Sequence, residues 1–243
     1  VTGPPTISVI VPAWNEEDYI TATLEAVFEA AGRLERAGAA AEVVVVDNES
    51  SDATVERATR FPVRVLREEA HRMATVRNTG ARAARGKYIA FVDADSRPSP
   101  NALVRISEVL GTGRYVGGGV SIRPDRWIPR ALPLYAAIPV IRLFYGVSAG
   151  MIFATREAFD AVGGFDETLY ASEDLAIGRA LKKFGRQTGK KFANLSDVRI
   201  VTSVRKFEKA PVRDFLIFFK YLYDKDAVRR RDQCALWYRE TNK

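Results

Sequence analysis

The stretch Lys87-Tyr-Ile-Ala-Phe-Val-Asp-Ala-Asp95 decides how the rest of the chain is read. Tyr88 to Val92 is an unbroken apolar run of strand length, the form expected of a strand buried on both faces of a parallel sheet. Two carboxylates, Asp93 and Asp95, follow at once on alternate residues. The chain therefore changes from core to polar at the carboxyl end of a buried strand.

Two upstream runs repeat the form. Ile7-Ser-Val-Ile-Val11 is stopped by Pro12 and followed by Ala13-Trp-Asn-Glu16. Val43-Val-Val-Val46 ends on Asp47, with the polar turn Asn48-Glu-Ser-Ser51 behind it. Val63-Arg-Val-Leu66 reads as a further strand. Helical spacing separates these runs. Ile20, Leu24, Val27 and Phe28 recur on one face, with Asn15 as the expected cap of a helix from Glu16, and Gly38 closes that region. Asp52 leads a short helix to about Arg60, Met73 to Ala84 reads as helical, and Ser99-Pro100 opens a helix to Leu110. This β–α alternation predicts an α/β fold with a mostly parallel sheet flanked by helices. The second half is less regular. Tyr115 to Ile122 reads as a strand, Trp127 to Tyr145 as a broken apolar segment, Ser172 as the cap of a helix from Glu173 to about Phe184, and Phe207 to Tyr223 as an aromatic helix.

The chain has 243 residues, 47% of them hydrophobic, which excludes disorder as the dominant state and fits one large domain or a domain with an appendage. One cysteine, Cys234, excludes an intrachain disulfide and a cysteine zinc site. One histidine, His71, excludes a His-rich metal site; it reads as a loop residue before the Met73 helix. No apolar run reaches the ~18 residues of a spanning helix, and no signal peptide is visible. The expectation is a cytoplasmic protein. Six of the seven net positive charges fall between Arg199 and Arg231, among Phe207, Phe215, Phe218, Phe219, Tyr221 and Tyr223. That composition suits an anionic membrane surface, so peripheral attachment to the inner face of the cell membrane is a further expectation. A solvated helix face would also account for it. A nucleic-acid binder would spread its basic footprint over the main domain, so no nucleic-acid partner is expected.

In an open parallel sheet, ligands bind outside the carboxyl ends of the strands. That places Trp14, Asp47, Asp93 and Asp95 on one edge. A tryptophan face can stack on a base, and a carboxylate such as Asp47 can accept from a base imide or a ribose hydroxyl. Hard divalent cations take carboxylate oxygens together with substrate phosphates, which gives Asp93-Ala-Asp95 a purpose beside a diphosphate. An isolated pair at this spacing would be an ordinary polar loop; three polar strand ends side by side favour a site.

Several segments, in order, resemble family 2 glycosyltransferases, which have the A-type nucleotide-diphospho-sugar transferase fold. They are Ile7 to Glu17, Val44 to Thr54, Arg77-Asn-Thr-Gly80, Ala84 to Asp95, Gly163-Gly-Phe-Asp-Glu167 and Ser172-Glu-Asp174, within residues 5–185. The resemblance implies a nucleotide-sugar-binding half over 1–110, an acceptor-binding and catalytic half over 111–204, and a basic helical extension over 205–243. It implies that Pro12, Ala13, Trp14, Glu16, Asp47 and Arg77 hold the nucleotide. Asp93 and Ala94 would lie against ribose or diphosphate, and Asp95 would bind Mn2+ or Mg2+. Asp174 would be the catalytic base, with Glu173 beside it. The reaction implied is inverting, metal-assisted transfer of a sugar from a nucleotide-diphospho-sugar to a saccharide or lipid-linked acceptor. Acids in a helix's first turn are also expected from the helix dipole alone, worth ~0.3–1 kcal/mol.

Processive members carry a Q-x-x-R-W motif, and Ser203-Val-Arg-Lys-Phe207 does not match it, which implies addition of one sugar. No histidine follows His71, so a metal would rest on Asp95, diphosphate oxygens and water. A sugar-phosphate nucleotidyltransferase would show a glycine-rich basic loop after its first strand, where this chain has the acidic, glycine-free Pro12-Ala-Trp-Asn-Glu-Glu17.

Overall fold

The apolar runs of the first half form adjacent parallel strands in the computed structural model, which describes residues 4–129, 151–205, 227–230 and 234. These are β1 (Ile7–Ala13), β2 (Ala41–Asp47), β3 (Arg64–Arg67) and β4 (Tyr88–Val92). They alternate with α1 (Ile20–Arg36), α2 (Thr54–Ala58) and α3 (Met73–Ala83). Beyond β4 come β5 (Ser96–Pro98), α4 (Ala102–Gly111), β6 (Tyr115–Pro124), β7 (Met151–Thr155), α5 (Arg156–Ala161), α6 (Glu173–Gln187) and β8 (Lys191–Thr202). The described strands make one sheet in the order β3-β2-β1-β4-β7-β6-β8-β5.

Pairing is parallel through β3-β2-β1-β4 and again between β6 and β8. β7 runs antiparallel to both β4 and β6, and β5 antiparallel to β8. The sheet is thus mixed rather than uniformly parallel. The sequence hides these strands for local reasons. Met151–Thr155 is a short apolar run close behind a long apolar segment, β5 is too short to show a period, and register shifts interrupt β8 against β6.

Both faces of the parallel strands are covered, which is why their sequences do not alternate. Val9, Val11, Ala90 and Val92 face α1 and α4 with Leu24, Val27, Leu103 and Ile106. Ile10, Val44, Val46, Ile89 and Phe91 pack in a second core with Ala74, Val76, Phe159 and Leu181 of α3, α5 and α6. Each of the Val, Leu, Ile and Phe side chains among them contributes about 1.5–3 kcal/mol by leaving water.

Two expected caps are corrected. Asn15 does not cap a helix from Glu16: it sits at φ 52°, its Oδ1 accepts the Ser51 N–H at 2.8 Å, and α1 begins at Ile20. The Ser99-Pro100 helix begins at Ala102, because Ser99 Oγ donates to Asn101 Oδ1 and accepts from the Arg199 N–H. Trp127–Tyr145 and Phe207–Tyr223 lie almost wholly outside the described residues.

Gly80 sets how closely α3 lies on the sheet. A Cβ there would stand 2.4 Å from Ile10 Cγ2 and 2.9 Å from Val46 Cγ2. Gly32, in α1, has only the mobile end of Arg36 nearby, at 3.7 Å. Gly80→Ala should therefore lower stability by about 1–3 kcal/mol through overpacking, although alanine is the better helix former by about 1 kcal/mol. Gly32→Ala should leave stability equal or higher. Urea unfolding of the two variants measures the contrast, and equal effects would show that α3 is not held by this contact.

Candidate functional site

The β1–β2 register brings the carboxyl ends of the strands level. Ala13 pairs with Asp47, and the Asn48 N–H donates to the Ala13 carbonyl at 2.8 Å. β4 lies on the other side of β1, so Asp93-Ala-Asp95 leaves the sheet along the same edge. The Thr23 hydroxyl donates to the Ala94 carbonyl at 2.7 Å and pins that turn to α1. Asp47 is buried, and its Oδ1 accepts the Ser50 N–H. Asn48 donates to the carbonyls of Glu68 and Ala70 and so fixes the loop ahead of α3. Pro12 and Ala13 are buried strand residues. Trp14 is half-buried, with its ring edge-on to His71 at 6.1 Å, and His71 Nε2 lies 3.1 Å from Glu49 Oε2.

Arg77, on α3, is 8% exposed. It points inward, between the donor-side strand end and the acceptor-side helix expected from the sequence. Nη2 donates to Asp93 Oδ1 at 2.7 Å, Nη1 donates to Glu173 Oε1, and the guanidinium lies 5.4 Å over the Phe165 ring. Burial alone would ease its proton off, but the charges of Asp93 and Glu173 outweigh this and hold it well above the ordinary arginine range. Both terminal nitrogens are engaged within the protein. The guanidinium thus lies between Asp93 and Glu173, at the strand end where the sequence expects Arg77 to meet the nucleotide.

The loop ahead of α6 is fastened to α3. The Asn78 side chain donates to the Phe165 carbonyl and to Glu167, and accepts the Phe165 N–H. Arg72 donates to the Glu167 carbonyl and the Tyr170 hydroxyl. A Cβ at Gly164, φ 73°, would stand 2.7 Å from Asn78 Oδ1. Ser172 precedes α6 in the left-handed region, φ 62°, without a side-chain capping bond. Glu173 is buried against Arg77, while Asp174 keeps part of its surface open. Asp174 Oδ1 accepts the Leu175 N–H at 2.8 Å. Burial first, then the charges of Glu173 and Asp93, raise the Asp174 carboxyl to about 6, against the opposing pull of Arg77 and the Leu175 N–H.

Arg205 joins the site from beyond β8. Its Nη2 donates to Glu16 Oε2 and lies 3.9 Å from Asp95 Oδ2, and its guanidinium stacks 4.2 Å from the Tyr19 ring. The Ser203 N–H donates to the Asp95 carbonyl. Arg205 has no motif around it in the sequence, and its signal would have been the strand β8 that carries it there. Asp95 already faces a positive charge, and its hard oxygens suit Mg2+ or Mn2+. No group of three His, Cys, Asp or Glu able to hold a metal occurs among the described residues.

Residues 8–163 match the family model described as glycosyl transferase family 2. A glycosyltransferase named AglE, of Haloferax volcanii, is 36% identical over 124 residues, covering 48% of this chain and 40% of that protein. A dolichol-phosphate mannosyltransferase of Pyrococcus furiosus is 33% identical over 182 residues, covering 65% of this chain and 45% of that protein. The chain thus spans less than half the length of these curated relatives. The mannosyltransferase PcManGT of Pyrobaculum calidifontis, solved with GDP-Man and Mn2+, superposes with a TM-score of 0.66 at 22% identity, over 92% of this chain and 66% of that one. The architecture is that of A-type glycosyltransferases.

The raised Asp174 carboxyl has a consequence for stability. The folded state keeps that proton up to a pH of about 6, whereas the unfolded chain releases it near 3.8. Stability from this group is present at low pH and is lost as pH rises through that window. Asp174→Asn should therefore be more stable than the parent at pH 8 by about 1–3 kcal/mol and equal to it near pH 4. Denaturant unfolding at the two pH values tests this; a variant destabilised at pH 8 would contradict the placement of Asp174.

Proposed function

The chain belongs to glycosyl transferase family 2, and we propose that it moves one sugar from a nucleotide-diphospho-sugar to an acceptor hydroxyl, with inversion and with Asp174 as general base. The observation that carries this reading is a part-open carboxylate raised to about 6, beside a bridge from Arg77 to Asp93 on the opposite strand end. A base must be ionised to act yet basic enough to take a proton, and a value just below neutrality meets both needs.

In this reading Pro12, Ala13, Trp14 and Asp47 receive the nucleoside, with Trp14 offering its ring and Asp47 its free oxygen. Glu16 acts through Arg205, which it holds near Asp95. Asp93, fixed by Arg77, and the turn at Ala94 lie against ribose and diphosphate. Asp95 would hold Mn2+ or Mg2+; the complex of PcManGT with GDP-Man and Mn2+ supports a divalent metal and a nucleotide-sugar donor in general. When bound, such an ion neutralises charge on the departing diphosphate. Asp174 accepts the acceptor hydroxyl's proton as the new bond forms at the anomeric carbon. The bond to the diphosphate breaks on the opposite face, and its electron pair leaves with the nucleoside diphosphate. A transition state of oxocarbenium character is expected. Glu173 orients Arg77 and raises Asp174 by its charge.

The acceptor class is a saccharide or a lipid-linked sugar acceptor, the latter supported by the name of the Pyrococcus relative. The departure from Q-x-x-R-W supports single addition. No described helix is long and apolar enough to cross a membrane. The expected attachment through residues 199–231 falls mostly outside the described residues.

A thermal-shift panel of nucleoside diphosphates with and without Mn2+ should give stabilisation by one base, dependent on metal. Asp95→Ala should abolish the metal-dependent part. Asp174→Asn should keep the shift and lose transfer by a factor of 100 or more, in keeping with the ~10²–10⁴-fold contribution of a general base. The parent kcat/KM should fall as pH drops through about 6, with unit slope, as Asp174 becomes protonated. An Asp174→Asn enzyme with normal turnover would remove the base assignment.

A further inference from the structure

β6, β8 and β5 carry a row of arginines on the sheet face turned away from α1 and α4. Register pairs Arg123 with Val201, and Val201 with Arg97. Residues directly opposite one another share a face, so these three side chains form one line across three strands. Arg199, paired with Ser121, stands two residues back on the same face. The residues between them, Val120, Val198 and Ile200, fill the core on the other side. Strand spacing puts the Arg97 and Arg123 backbones about 10 Å apart, with Arg199 about 7 Å along the strand.

Arg97, Arg123 and Arg199 are all exposed, and none forms an ion pair with a described residue. By contrast, Arg105 of α4 pairs with Asp197 of β8 and with Glu108. Immediately after β6 come Arg126 and Trp127, and Trp127 is 73% exposed, a large hydrophobic side chain held in water. The acid on this rim is Asp125, whose Oδ1 accepts the Val204 N–H. A flat strand surface, the three arginines Arg97, Arg123 and Arg199 with no ion pair to a described residue, and an exposed indole near them match the two components of a membrane–water interface. Those components are anionic headgroups and the depth at which tryptophan settles.

We propose that the row Arg97, Arg123 and Arg199, together with Trp127, docks the protein on a bilayer containing anionic phospholipid. The basic tail shares only Arg199 with this row and is not required for the docking. Arg97 follows Asp95 by two residues, about 7 Å along the chain, so docking would bring the diphosphate end of the site to the lipid surface. That last consequence rests on the proposed glycosyl transfer to a lipid-linked acceptor; the docking itself does not.

The test uses the full chain in co-sedimentation with phosphatidylcholine vesicles and with 7:3 phosphatidylcholine:phosphatidylglycerol vesicles. The parent should bind only the second, and binding should collapse between about 0.05 and 0.5 M NaCl as screening shortens. Each arginine near such a surface is worth about five-fold, so Arg97→Gln/Arg123→Gln/Arg199→Gln should lose on the order of 100-fold in partitioning. Trp127→Ala should weaken it further at high salt. The tail variant Lys206→Gln/Lys209→Gln/Arg213→Gln should bind within two-fold of the parent. The melting temperature and the Mn2+-dependent nucleotide shift of the face variant should match the parent, separating lost docking from lost fold. If no nucleotide shift exists in any form, the donor reading fails while the vesicle result still stands. The proposal is overturned if the parent ignores phosphatidylglycerol, if the face variant binds like the parent, or if the tail variant alone loses binding. It is also overturned if the face binds duplex DNA but not vesicles.

Discussion

Taking a guanidinium out of water costs several kcal/mol, and a buried ion pair recovers that only with close geometry on both sides. Arg77 meets the condition by placing its two terminal nitrogens on two carboxylates that come from different parts of the chain, Asp93 after β4 and Glu173 at the head of α6. Removing Arg77 would leave two carboxylates facing each other without their shared cation, so the distance between these two elements is set electrostatically as well as by packing. The aromatic floor supports the same position, since Phe165 lies beneath the guanidinium and packs edge-on against Phe91 of β4. Asp174 inherits its environment from this bridge. Glu173 and Asp93 press it toward the protonated form, and Arg77 limits how far it goes.

Much of this was legible in the residues. Tyr88–Val92, Ile7–Val11 and Val43–Val46 read as buried strands because both sheet faces are covered there, and unbroken apolar runs follow from that. The polar strand ends at Asp47, Asp93 and Asp95 were visible because carboxylates interrupt a pattern that packing otherwise dictates. The direction of Arg77 was not visible. Its helix position is compatible with pointing at a ligand or into the protein, and only the approach of Glu173, 96 residues later, decides between them. Arg205 was hidden by its company: within a basic segment nothing marks one arginine as the partner of Glu16, 189 residues earlier. β7 and β8 were missed because a strand antiparallel to its neighbours, or one broken by a bulge, carries no turn-and-period signature of the βαβ kind.

The loop between α5 and α6 is held by side chains where the strands are held by backbone ladders. Asn78 makes three hydrogen bonds to the segment Phe165–Glu167, and Arg72 adds two more between α3 and the same loop. The arrangement suits a loop that must end at a fixed carboxylate while passing through Gly163, Gly164 and Ser172, all at positive φ. Left-handed backbone at a non-glycine such as Ser172 is costly, and it persists where surroundings over-determine it. Here those surroundings are the Glu173–Arg77 bridge on one side and Tyr170, whose N–H donates to the Val228 carbonyl, on the other.

Charge balance decides what the site can accept. Glu16, Asp47, Asp93, Asp95, Glu173 and Asp174 supply six carboxylates, and among the described residues of the site Arg77 and Arg205 supply two guanidiniums. Arg77 is committed to Asp93 and Glu173, and Arg205 is shared between Glu16 and Asp95. A nucleoside diphosphate adds further negative charge to a pocket already in excess, and at an effective dielectric near 20 two like charges 4 Å apart repel by about 4 kcal/mol. The proposed donor can therefore settle at the strand ends only together with compensating positive charge. Asp95 lies 3.9 Å from Arg205, while Glu16 takes the direct hydrogen bond from that guanidinium. A single carboxylate already facing a guanidinium binds a divalent ion weakly by itself. In the proposed reading, ion and diphosphate would bind more tightly together than either alone, because each supplies charge that the other lacks.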